Sequence, residues 1–207
     1  MKHFFIVVLA GGSLFWSACG SPVKPPSNTA ADADSVARKD SMSNAFFPVG
    51  DYLRTEILRV DSTPVAITRY TVQQDRKDSA FISPAEFNKL AAAFLLPEFV
   101  DGSFEKKYQE SSFMDKVTRS STFTYSTTER SLPLQRVDVV TIPGNTSYRV
   151  KSIYLEKSFV SGDTVVMQKM YWKAGRNFQI ITQTNVHGKP AADRQLKVVW
   201  DIGEDEE

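Results

Sequence analysis

The sequence predicts an α+β domain in which two to three N-terminal helices pack on one face of a curved antiparallel β-sheet meander of about six strands. Three observations carry that expectation. Apolar residues at helical spacing are confined to the first half of the folded region, around Val49 to Val60 and Pro84 to Leu95. From residue 117 onward, short runs alternate apolar and polar side chains instead. Brief turn sequences separate these runs and leave no room for the dozen or more residues of a parallel crossover, so antiparallel neighbours follow.

The first helix places Val49, Leu53, Ile57 and Val60 on one face and ends at Asp61-Ser62-Thr63-Pro64. Val65 to Gln73 then reads as extended, with Tyr70 and Val72 on one side and Ile67 and Thr71 on the other. Asp75-Arg76-Lys77-Asp78 reads as a polar turn before the short apolar segment Ala80 to Ile82. The second helix has the clearest start in the chain: Ser83 as N-cap, Pro84 at the first helical position, and Glu86 placed to reach back to the cap residue. Phe87, Leu90, Ala91, Phe94 and Leu95 form its apolar face, and Pro97 stops it. A short helix involving Phe104 and Tyr108 follows Ser103.

The strands begin with Thr122 to Thr128, where Phe123 and Tyr125 share a face, and Leu134 to Ile142, where Val137 and Val139 do. Tyr148 to Lys157, Thr164 to Trp172, Phe178 to Thr184 and Gln195 to Trp200 complete the six. Between Tyr148 and Leu155 the apolar phase slips by one residue, from Tyr148 and Val150 to Ile153 and Leu155, which predicts a β-bulge.

Four segments follow: residues 1–18 as a signal peptide, 19–43 as a tether, 44–201 as one α+β domain, and 202–207 as an acidic tail. At the N-terminus, Lys2 precedes an apolar run from Phe4 to Trp16. A permanent membrane helix needs about 20 apolar residues, and a short basic region, a compact apolar region and small residues read as a processed signal. Trp16-Ser17-Ala18-Cys19-Gly20 resembles the lipobox of bacterial lipoproteins, with tryptophan where the family usually has leucine or another aliphatic residue. The resemblance implies lipid attachment at Cys19, cleavage just before it, and acylation of the new amine. Cys19 is the sole cysteine, so it cannot form an internal disulfide. Two or three acyl chains hold a protein firmly, at about 0.8 kcal/mol per buried methylene.

Gly20 to Ser43 carries Pro22, Pro25 and Pro26 and little large apolar surface, a composition that cannot offset the entropy of ordering. Signal, tether and helix-then-meander organisation together resemble Bacteroidota lipoproteins. That implies an extracytoplasmic location, and Gly20-Ser21-Pro22-Val23-Lys24, which lacks the acidic cluster linked to surface export, favours the outer membrane facing the periplasm.

Composition narrows the function classes. The chain has 25 basic and 24 acidic side chains, and removing residues 1–18 takes away only Lys2. This balance argues against a nucleic-acid partner and against a polybasic membrane patch.

Catalytic patterns are sparse. His187 is the only histidine after the signal and sits beside the Gly188-Lys189-Pro190 turn; Ser158, Ser161 and Asp193 are its conceivable partners, with no nucleophile-elbow motif to position them. No Cys/His metal spacing and no calcium loop occur, and Asp75, Asp78, Glu105 and Glu110 read as surface charge. Isolated turn glycines do not make a phosphate cradle, and Asn145-Thr146-Ser147 is read as turn chemistry rather than a glycosylation site. No catalytic residue, cofactor or metal is therefore expected.

Arg136, Arg149, Lys151, Lys157, Lys169 and Lys173 punctuate the strands. If they share an open face with Tyr154, Tyr171 or Trp172, that face can take an anionic glycan, a phospholipid head group or an acidic protein surface; Asp138, Glu156 and Asp163 instead suggest a balanced, solvated sheet. The expectation is a non-enzymatic envelope lipoprotein, membrane-bound through its anchor, acting as a binding or assembly module for an envelope protein, glycan or lipid. The alternatives are a carrier holding a hydrophobic or lipid ligand between sheet and helices, and an enzyme with an unconventional polar site.

Overall fold

The computed structural model describes residues 46–74, 76–145 and 147–202, which lie in one compact unit. Cys19, the tether and the acidic tail from residue 203 onward lie outside them.

Helix α1 spans Val49–Ser62, and strands β1 (Thr68–Gln73) and β2 (Arg76–Phe81) form the first hairpin. Helix α2 (Pro84–Ala91) runs into a 3₁₀ turn at Ala92–Phe94; a second such turn at Pro97–Phe99 leads to the four-residue helix α3 (Phe104–Lys107). Seven strands follow: β3 (Gln109–Asp115), β4 (Ser120–Ser126), β5 (Leu134–Pro143), β6 (Tyr148–Ser161), β7 (Thr164–Lys173), β8 (Asn177–Val186) and β9 (Ala192–Val199).

The nine strands of the described residues join one open antiparallel sheet in the order β2-β1-β9-β8-β7-β6-β5-β4-β3. This corrects the expected α+β fold with about six strands: the protein is a largely β fold with few, short helices. Three strands account for the difference. β1, expected as an extended strand outside the six-strand meander, pairs with β9 from Thr68↔Val199 to Gln73↔Arg194. The polar run at Arg76 is strand rather than turn, because an edge strand exposes its side chains and needs no apolar alternation. β3, the opposite edge, is concealed for the same reason, with only Asp115 less than exposed.

The predicted bulge is present as a register shift, with Val140 opposite Ser152 and Thr141 opposite Val150, leaving Lys151 unpaired with β5. Ser83 caps α2, its hydroxyl accepting from the Glu86 backbone N–H at 3.2 Å. The Glu86 carboxylate, expected to reach back to that cap, instead accepts from Arg69 of β1 at 2.6 Å. A tertiary cation thus takes the place of the local cap.

The helices lie against the face carrying Val137, Ile153, Trp172, Phe178 and Val198, all with zero exposure. Two aromatic clusters occupy it. Phe87 and Phe94 contact Trp172 and Phe178 with ring centroids between 5.2 and 6.5 Å, and Phe87 meets Trp200 at 5.0 Å. On the other side, Phe104 contacts Phe46, Phe99, Tyr108 and Tyr125. Val139, Leu155 and Met170 belong to the same buried core. Gly50 lets α1 approach this layer, since a Cβ there would sit 2.8 Å from the Phe99 Cβ. Each large apolar side chain so buried contributes about 1.5–3 kcal/mol.

A carboxylate enters the core. Glu56 of α1, 7 % exposed, accepts from the Gly175 backbone N–H at 2.9 Å and the Trp172 indole at 3.4 Å, with Arg59 at 3.9 Å. It ties α1 to the β7–β8 turn, which also receives the segment after β9: Ile202 donates its N–H to the Gly175 carbonyl at 3.1 Å.

Candidate functional site

Directly opposed residues of an antiparallel sheet share a face, so the pairings define what the sheet presents on the side away from the helices. One row crosses all nine strands: Ser79, Tyr70, Lys197, Gln179, Tyr171, Tyr154, Asp138, Thr124, Ser111. Tyr70 and Tyr171 are 45 % and 38 % exposed, so ring surface remains available for stacking. From Tyr70 to Tyr154 the row crosses four strand spacings, about 19 Å at roughly 4.8 Å each. The next row places Ile181, Lys169, Glu156 and Arg136 side by side.

Hydrogen bonds fix the β4–β6 part of this face. Asp138 accepts from Thr124 at 2.7 Å and from the Arg136 Nε at 2.9 Å. The bond to Asp138 holds the Arg136 guanidinium more firmly charged than usual. Tyr154 donates to Glu156 at 3.3 Å, and burial, then the Glu156 charge, push its phenol up to about 12. Tyr154 therefore stays a neutral donor throughout the physiological range, while Lys169, opposite Glu156, alternates the sign of charge along the row.

The predicted cationic set is divided by the fold. Arg136, Lys169 and Lys173 share the open face with Tyr154 and Tyr171, whereas Trp172 points into the core. Lys157 also faces the helix side, opposite Gln168, where desolvation lowers its pKa against the opposing effect of Glu98. Arg149 lies beyond the bulge opposite Ile142, and Lys151 is the bulge residue. Trp200 and Phe178 are likewise buried. Tyr70, Lys197 and Gln179 were not singled out by sequence reasoning. The signal was alternation alone: Tyr70 and Thr71 point to different faces of the sheet, as do Lys197 and Leu196.

His187 is exposed after β8, and its backbone N–H donates to the Asp163 carbonyl at 3.2 Å. Ser158 on β6 and Asp193 on β9 are three strands apart, roughly 14 Å, too far for one triad. Ser161 closes β6 at the hairpin tip. Asp78 and Glu110 sit on opposite edge strands, Glu105 is in α3, and Asp75 is outside the described residues. Among the described residues, no group of three His, Cys, Asp or Glu side chains is arranged to hold a metal, and no helix is long and apolar enough to cross a membrane.

The chain matches no protein-family model, and comparisons with curated proteins and with solved structures yield no significant match.

Proposed function

We propose that this chain is a lipid-anchored protein of the bacterial cell envelope, held through Cys19 at the periplasmic side of the outer membrane, that works as a non-enzymatic binding or assembly module through its open sheet face. The observation that carries the reading is the continuous cross-strand row from Tyr70 through Lys197, Gln179 and Tyr171 to Tyr154. Tyrosine offers a large apolar ring with a polar tip and loses little entropy when it is covered. Amide and ammonium groups between the rings supply directional donors. Stacking surfaces interleaved with donors suit a glycan strand of the envelope better than an apolar chain.

Two experiments test the two halves of the proposal. Co-sedimentation of the purified chain with isolated cell-wall sacculi is expected to fall about tenfold or more in a Tyr70→Ser/Tyr171→Ser variant, since two aromatic contacts are lost, each worth about 0.5–1.5 kcal/mol, and about 1.4 kcal/mol is tenfold; unchanged sedimentation overturns the assignment of the face. Metabolic lipid labelling is expected to disappear, with membrane retention, in Cys19→Ser, and persistent labelling overturns the anchor.

A further inference from the structure

The inner, helix-side face of β7–β9 continues beyond the end of the helical layer. Below the buried row Met170–Ile180–Leu196 comes Gln168–Thr182–Arg194, and below that Val166–Thr184–Ala192, each about 7 Å further along the strands. Phe159 of β6, opposite Val166, extends the lowest row and is 37 % exposed. Where α2 ends, Lys89, Leu90 and Ala93 wall a concavity of about 230 Å³ whose floor is Gln168, Ile180, Thr182, Arg194 and Leu196.

This lining combines two cations with four apolar side chains and contains no carboxylate. The nearest acidic group on α2, Glu86, is turned to Arg69. Gln168 donates to the Thr182 hydroxyl at 3.2 Å, so that hydroxyl keeps its own hydrogen to donate. Lys89, Arg194 and Thr182 therefore offer donors and positive charge above an apolar floor formed by Ile180 and Leu196.

We propose that this concavity binds the head of an anionic single-chain amphiphile, a carboxylate or phosphate, with the alkyl chain laid along Val166 and Phe159. The volume is below the ~300–1,000 Å³ typical of sites that enclose a drug-sized ligand. It accordingly encloses the head and the first carbons, while the rest of the chain rests on the uncovered ledge. The site uses the opposite face from the tyrosine row and stands independently of the function proposed for it.

Calorimetric titration of the full chain with octanoate, octyl phosphate, octanol and inorganic phosphate, below micellar concentrations, tests the proposal. One or both amphiphilic anions are expected to bind at least about tenfold more tightly than octanol or inorganic phosphate, because the charge and the apolar floor are both needed. Which anion binds more tightly distinguishes a carboxylate head from a phosphate head. Lys89→Glu/Arg194→Glu is expected to remove this preference, and Lys89→Arg/Arg194→Lys to retain it. Equal binding of octanol means apolar adsorption only, and equal binding of inorganic phosphate means an adventitious ion only; either result overturns the proposal. So does absence of binding by both amphiphilic anions, or unchanged affinity in the charge-reversed variant. Tyr70→Ser/Tyr171→Ser should leave octanoate and octyl phosphate binding unchanged, which separates failure here from failure of the open-face reading.

Discussion

Strands β7, β8 and β9 carry polar and apolar residues along their whole length, yet their two ends differ on the same face of the sheet. At one end Trp172, Phe178 and Val198 stand side by side beneath Phe87 and Phe94, with zero exposure. At the other end, six residues along each strand, Val166, Thr184 and Ala192 have no helix of the described residues above them and are at least partly exposed. The connection from β2 to β3 explains the contrast. Those strands are opposite edges of the sheet, so residues 82–108 cross eight strand spacings, roughly 38 Å. A single crossing carrying α2 and α3 covers a band of the inner face and leaves the far ends of β6–β9 as a ledge. Alternation assigns a side chain to a face; the path of a distant connection decides whether that face is dry.

The difference between the two ends can be broken most strongly at the covered end. Trp172→Ala should cost about 3–5 kcal/mol in urea unfolding, since it leaves a cavity against both phenylalanines. A value near that of a surface change would mean that the aromatic cluster is not the core. Glu56→Ala ranks next, because it leaves the buried Gly175 N–H and the Trp172 indole without their acceptor, at about 1–3 kcal/mol; amide exchange at Gly175 should accelerate with it. Ser83→Ala removes the cap that starts the covering helix and should cost about 1 kcal/mol, read from the unfolding midpoint.

At the ledge, Thr184→Ser should stay within about 0.5 kcal/mol, as surface substitutions do, and a larger loss would show that the ledge is structural. Smallest of all at neutral pH is Tyr154→Phe on the open face. The folded pKa of Tyr154 is raised to about 12 from 10.0, so its contribution is complete below pH 10 and is lost as pH rises through 12. The phenylalanine variant should show a shallower alkaline decline in stability, and an unchanged slope would mean that this phenol does not contribute to it.

Particular elements show what could be read in advance. α1 was legible because Val49, Leu53, Ile57 and Val60 repeat at helical spacing, and all four are buried. The start of α2 was legible because Ser83-Pro84 is a local capping signal, whereas the partner of Glu86 was not, because Arg69 lies in another element. β2 and β3 were missed because edge strands satisfy half of their backbone groups with solvent and bury little, so their composition resembles that of turns. The tyrosine row was half legible. Tyr154 and Tyr171 alternate with core residues in their own strands, but their alignment with Tyr70 depends on β1 pairing with β9.

By itself, then, the sequence determined the local periodicities: two amphipathic helices, the alternation of β4–β9, the turns between them and the slip that becomes the Lys151 bulge. These depend on neighbours a few residues apart, whose geometry is set by helical or strand repeat. Tertiary structure alone decided the ninefold strand count, the insertion of β1 between β2 and β9, the burial of Glu56 against Gly175, and which half of the inner face is covered. Those features join residues separated by most of the chain, and backbone hydrogen bonding, which is nearly indifferent to side-chain identity, leaves no periodic trace of which strand lies beside which.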